Sequence, residues 1–189
     1  MLSFEEFVLQ EAPKRIASQQ MGYDNKDSNH YLWHMFNNEG NVLPKKFNGF
    51  DIHKLTKNNI IRIGILDNSK ETVIYESIFE KQTPKVVRQT AVWRDEEVKG
   101  TKGIINYVIF ELILKEYTLM SDVRQTNSGN DMWKRLFKTA ISKGYHCNVV
   151  DHTNGNVTSL DSDNDFDNAS KDESKSYAIL QKGLRSDKG

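Results

Sequence analysis

A chain of 189 residues is long enough to bury one substantial core and short for two, so a single domain with appendages is expected. Acidic and basic side chains balance at 26 each, which removes any global basic field for nucleic acid and any acidic surplus for a basic partner; nucleic acid is not an expected ligand. The lone Cys147 excludes an internal disulfide and a multi-cysteine metal site, and the longest apolar run, within 104–114, is too short for a bilayer and carries Asn106, Tyr107 and Glu111, so a soluble protein with no membrane partner is expected.

The segment from Met1 to Glu11 has no basic region and no sustained apolar core, unlike a secretory signal. Phe4, Phe7 and Val8 fall at i, i+3 and i+4, with Ser3 as N-cap and Pro13 as terminator, so residues 1–13 form an amphipathic segment that would dock on the protein's own core. The same segment resembles the removable capsid-targeting peptides of tailed-phage head proteins, which open Met-x-Ser/Thr-aromatic and are cut after Leu-x-Glu; here Leu9-Gln10-Glu11 precedes Ala12. Residues 18–29 are polar and predict a loop. Tyr31–Phe36 is an aromatic cluster suited to a short strand or helical turn, broken by Asn37–Asn41. Runs 59–66 and 72–79 are rich in β-branched residues and predict a hairpin joined by 67–71.

A third strand is expected at 85–94, followed by a glycine-bearing turn and a helix over 103–116, apolar on most of its surface through Ile104, Ile105, Val108, Ile109, Leu112 and Ile113. Strand, glycine turn and helix N-terminus together make an anion cradle, because the first helical turn leaves N–H groups pointing outward and glycine lets a phosphate approach them. Lys99 and Lys102 add charge to that turn. A short buried strand is expected at 117–121. Trp133, Leu136, Phe137, Ala140 and Ile141 then mark an amphipathic helix ended by Gly144, and 145–151 a strand in which Cys147 is a small buried residue. From Thr153 to Lys175 the chain is crowded with Asn, Asp and Ser and predicts a mobile loop; its acids from Asp161 lack the glycine and glutamate of a calcium loop, since Phe166 and Asp172 stand there. A last strand is expected at 176–181.

The order of strand, glycine turn, buried helix, strand and helix resembles the GNAT superfamily of N-acetyltransferases over roughly residues 58–182. The resemblance implies an α/β fold across 31–182: a mixed, mostly antiparallel GNAT-like sheet with flanking helices and a splayed central parallel strand pair, the tail 183–189 being flexible. In that family an Arg/Gln-x-x-Gly-x-Gly/Ala turn holds the pyrophosphate of acetyl-CoA through backbone amides. Val98, Lys99, Gly100, Thr101, Lys102 and Gly103 occupy its place here, with the glycines one residue further apart. The stretch Leu119–Leu136 also resembles a Ser-Asp-x-x-Gln-Thr then Trp-x-x-Leu pattern of acetyltransferase-like proteins from phages and bacteria, putting Ser121 and Asp122 beside the thioester.

Direct acyl transfer needs a base for the amine, a hydrogen-bond donor near the thioester carbonyl and an acid for the departing thiolate. By resemblance, Glu96 or Glu97 would be the base and Ser121 a donor. The family's usual tyrosine acid is replaced by Trp133, whose indole is no useful acid. Two functions follow: an acyl-CoA-dependent N-acyltransferase with an unknown amine acceptor, or a non-catalytic phage protein of the same fold. The second would be packaged with phage head components in the virion, or would inhibit a host protein in the host cytoplasm. Among His30, His34, His53, His146 and His152, the first two are four apart, yet no carboxylate accompanies them in a metalloprotease-like motif and no metal site is expected. No nucleophile-elbow motif is present.

Overall fold

The computed structural model describes residues 26–122, 127–162, 165–166 and 174–180. The expected amino-terminal segment and carboxyl-terminal tail lie outside these residues, as do residues 163–164 and 167–173 of the acidic loop. Among the described residues there are three helices and nine strands: α1 (Lys26–Glu39), β1 (Asn41–Val42), β2 (Asp51–Lys57), β3 (Ile60–Asp67), β4 (Thr72–Lys81), β5 (Val86–Arg94), α2 (Ile104–Tyr107, continued by a π-helix over Val108–Ile113), β6 (Thr118–Met120), α3 (Asn127–Ser142), β7 (Cys147–Asp151), β8 (Val157–Ser159) and β9 (Lys175–Ile179). The strands form one mixed sheet in the order β1-β2-β3-β4-β5-β6-β9-β7-β8. The described residues divide into two compact units, one from 26–82 and 89–108, the other from 83–88, 109–122, 127–162, 165–166 and 174–180.

In the first unit β1 to β4 are antiparallel throughout. The expected hairpin is β3–β4, with Ile61 opposite Phe79 and Ile63 opposite Ser77. Strand β2 was not foreseen, although Ile52, His53 and Leu55 are all buried. The loop expected up to residue 29 is instead helical from Lys26, and the aromatic cluster at 31–36 belongs to the same helix. Leu32, Met35 and Phe36 share one face at helical spacing and pack with Leu55, Leu66 and Val73. The Phe36 ring lies so close over the β3 backbone that a Cβ on Gly64 would stand 2.6 Å from it.

Asn29 explains why the polar start of α1 stays helical. The β3–β4 ladder shifts register between Ile65 and Leu66, with Leu66 opposite Val73. Beside that shift the Asn29 side chain bonds the β4 main chain, accepting from the Val73 N–H at 2.7 Å and donating to the Val73 carbonyl at 3.0 Å. On the same helix, the Phe36 carbonyl can only accept, so His53 Nδ1 carries the proton in their 3.1 Å bond.

Among the described residues of this unit, one ion pair has its carboxylate fully buried. Arg62 Nε donates to Glu76 Oε1 at 2.6 Å, while Glu76 Oε2 has no partner among the described residues. The Glu76 side chain is fully enclosed, and burial pushes its carboxyl up to about 8, a displacement that the Arg62 contact opposes. Burial likewise lowers the Arg62 guanidinium from its usual value.

In the second unit β6 pairs in parallel with the start of β5, Val86 opposite Thr118 and Arg88 opposite Met120, as expected for strands joined through a helix. Strand β9 lies between β6 and β7 and is antiparallel to both. Helix α3 buries Trp133, Leu136, Phe137 and Ala140 as its periodicity requires, and Gly144 follows at φ 74°. Cys147 is buried in β7, where burial pushes its thiol up to about 12, so it is a packing residue and not a ready thiolate. Within the loop expected at 153–175, Val157–Ser159 is a strand paired with β7. Phe166, in the same stretch, is buried; its ring stacks on Tyr177 with centroids 4.6 Å apart and meets Phe137 at 5.2 Å.

Candidate functional site

The turn from Val98 to Gly103 stands between β5 and α2, as the sequence predicts. Gly100 and Gly103 have φ of 87° and 83°, a left-handed conformation that costs other residues about 1–2 kcal/mol. The turn is held internally and from β2's approach. Thr101, buried, donates through its hydroxyl to the Val98 carbonyl at 3.1 Å, and Asn48 Nδ2 donates to the Gly100 carbonyl at 2.8 Å. Lys99 and Lys102 are exposed. A Cβ on Gly103 would meet no atom within 4 Å, so the glycine answers to backbone conformation and leaves open space over the turn.

Gly103 caps α2 with no side-chain bond. The helix makes a single α turn over Ile104–Tyr107 and then widens into a π-helix over Val108–Ile113, with the Leu114 N–H reaching back five residues to the Ile109 carbonyl. Ile104, Val108, Ile109, Phe110, Ile113 and Leu114 are buried and Asn106 is exposed, which agrees with the near-continuous apolar surface read from the sequence.

Glu96 and Glu97 follow β5 in the same unit as the turn. Both are exposed; the Glu96 side chain is 84% accessible and its Oε1 accepts from Arg94 Nη2 at 3.4 Å, while the Glu97 main chain donates to Asp95 Oδ1. Ser121 belongs to the other unit and is fully buried. Its hydroxyl donates to the Asp122 carbonyl at 2.9 Å and accepts from the Tyr177 N–H at 2.9 Å, and its own N–H donates to the Tyr177 carbonyl at 2.8 Å. As positioned, Ser121 stitches the end of β6 to β9, and its one proton is already engaged. Trp133 is 2% exposed and packs near Phe137 and Tyr177, with centroids at 5.9 and 6.3 Å. Its packing is that of a core anchor.

Sequence reasoning passed over Gln89, the first β5 residue beyond the stretch paired with β6. Its side chain is buried, and neither its amide nitrogen nor its oxygen has a partner among the described residues. Such a group costs about 1–3 kcal/mol unless water or a ligand satisfies it. The place of Gln89 between Val86–Val87 and Ala91–Trp93 in an expected strand was the available signal. In the second unit His152 shares a 2.8 Å contact with Ser176 Oγ, and burial, followed by the nearby Arg88 charge, lowers its ring from the ordinary histidine value.

Among the described residues no group of three or more His, Cys, Asp or Glu side chains is placed to hold a metal ion, and no helix is long and apolar enough to cross a membrane. No protein-family model, no curated protein and no solved structure matches this chain.

Proposed function

We propose that the protein is an acyl-CoA-dependent N-acyltransferase-like protein of GNAT type, acting on an amine. The observation that carries this reading is the parallel β5–β6 pair, which ends at Arg88 and Met120 while β5 continues to Arg94. The connection between those strands contains the glycine turn and α2. The resemblance demands that arrangement; had β5 and β6 not been neighbours, it would have failed.

The turn's residues fit the pyrophosphate of acetyl-CoA. Two left-handed glycines keep side chains away from the start of α2, the space over Gly103 is open, and Lys99 and Lys102 are free of the core. Backbone N–H groups there, aligned with the helix dipole, would hold the diphosphate, with the lysines supplying charge. The coenzyme would bring the thioester. Glu96 and Glu97, solvated at the end of β5, would take the amine's proton through water.

A second reading keeps the fold and drops the chemistry. It is favoured by Trp133 in the place of the tyrosine acid and by the Ser121 hydroxyl proton being committed to Asp122. The protein would then be a phage component packaged in the virion, or an inhibitor of a host factor. Titration with acetyl-CoA, read by calorimetry and thermal shift, tests the first reading. Binding weakened in the Gly100→Val/Gly103→Val variant, with the fold retained, supports it. No binding at millimolar ligand defeats it, as does unchanged affinity in the folded variant.

A further inference from the structure

One exposed cluster lies apart from the turn and plays no part in the proposed acyl transfer. On α1, His30 and His34 are one helical turn apart and both face solvent. Their Nε2 atoms converge to 3.0 Å, with the rings edge to face and centroids 4.4 Å apart. The other nitrogen of His30 is directed away: Nδ1 stands 3.4 Å from the Glu71 carbonyl and 3.8 Å from its carboxylate. A carbonyl can only accept, so Nδ1 carries the proton and the neutral ring presents a lone pair at Nε2. Outer-shell carbonyls and carboxylates hold metal-ligating histidines in this way. Glu71 itself adopts φ 54°, an uncommon conformation for a residue with a side chain, in the turn that brings its carbonyl to His30.

We propose that His30 and His34 form a two-imidazole clamp for a first-row divalent metal ion, Cu2+ or Ni2+ above all, with water completing the coordination. The separation sets the geometry. Two nitrogens 3.0 Å apart, each about 2.05 Å from a shared ion, subtend about 94° at it, near the right angle of a square or tetragonal site and well short of the tetrahedral angle preferred by Zn2+. Metal-free, the two lone pairs cannot face each other without a proton between them. A metal ion takes that place after a small rotation of both exposed rings, whose χ2 wells are broad, while the His34 proton passes through solvent from Nε2 to Nδ1 and the ring stays neutral. Imidazole ligands select Cu2+, Ni2+ and Zn2+ over Mg2+ and Ca2+, which prefer oxygen.

Trp33 supplies a built-in reporter, because its ring lies 4.9 Å from that of His34 and 5.9 Å from that of His30. Untagged full-length protein is titrated with CuCl2, NiCl2, ZnCl2 and MgCl2, following heat and tryptophan fluorescence. The expected result is one site for Cu2+ that quenches Trp33 and binds more tightly than Ni2+ or Zn2+, with no response to Mg2+. The His30→Ala and His34→Gln variants, checked for wild-type circular dichroism, each lose at least about tenfold in affinity, the smallest loss expected even for an outer-shell partner. His146→Ala is unchanged, and Trp33→Phe loses the quenching while keeping the heat. Undiminished affinity in the folded His30→Ala/His34→Gln double variant overturns the assignment, as does the absence of Cu2+ binding to the native protein.

Discussion

Replacing Arg62 with methionine should make the protein's stability strongly dependent on pH. The substitution keeps an unbranched side chain under α1 and removes the only cation hydrogen-bonded to Glu76 among the described residues. An unfolded glutamate titrates at the ordinary value of 4.5, whereas burial holds this carboxyl at about 8 in the fold. Below 4.5 both states are protonated, and the buried neutral carboxyl contributes its full stability. Between 4.5 and 8 the unfolded chain ionises while the folded chain keeps its proton, so stability is lost at about 1.36 kcal/mol per pH step. Above 8 the folded carboxyl ionises too and the loss levels off. The whole interval is worth about 5 kcal/mol at that rate, of which about 4 kcal/mol falls between pH 5 and 9. The native protein carries this displacement with Arg62 in contact, and removing the charge-assisted bond extends the fall in stability to higher pH. Urea unfolding at pH 5, 7 and 9 measures the effect, with Arg62→Met/Glu76→Gln as the neutral control. Parallel profiles for Arg62→Met and the double variant would refute the reasoning, because they would mean that Glu76 ionises freely in the fold.

Gly64→Ala should cost about 1–3 kcal/mol by overpacking against the Phe36 ring, and Phe36→Leu in the same chain should recover part of it, both read by thermal unfolding. Phe166→Ala removes a ring stacked on Tyr177 and touching Phe137; a loss of about 3–5 kcal/mol in urea unfolding is expected, and a loss below 1 kcal/mol would show that the 165–166 segment does not anchor on α3. If Leu9-Gln10-Glu11 is a head-protease signal, mass spectrometry of virion material should find a chain beginning at Ala12, while protein made alone keeps Met1. An intact terminus in the virion, with a large fall in melting temperature on deleting residues 1–11, would defeat the packaging reading.

Periodicity carried the elements whose faces are uniform. Trp133, Leu136, Phe137 and Ala140 define α3 because a half-buried helix repeats every three to four residues, and the β-branched runs at 59–66 and 72–79 define β3 and β4 because both are bordered by turn residues. The glycines at 100 and 103 were legible as a turn for a local reason: their left-handed backbone depends on nothing distant. Tertiary structure decided the rest. Asn29 looks like loop composition until Val73, more than forty residues away, offers it both main-chain partners, and β2 looks featureless until β3 pairs with it. Glu76 lies in a strand whose pattern tolerates a polar residue, and only the packing of α1 over that face makes it a buried carboxyl. His30 and His34 had the right spacing in sequence, but the carbonyl that fixes the tautomer comes from Glu71 across the fold. Local conformation and amphipathic spacing are properties of short segments and can be read in one dimension. Hydrogen-bond satisfaction and the environment of a charge depend on which distant segment covers a residue, and that is set when the sheet and α1 close on each other.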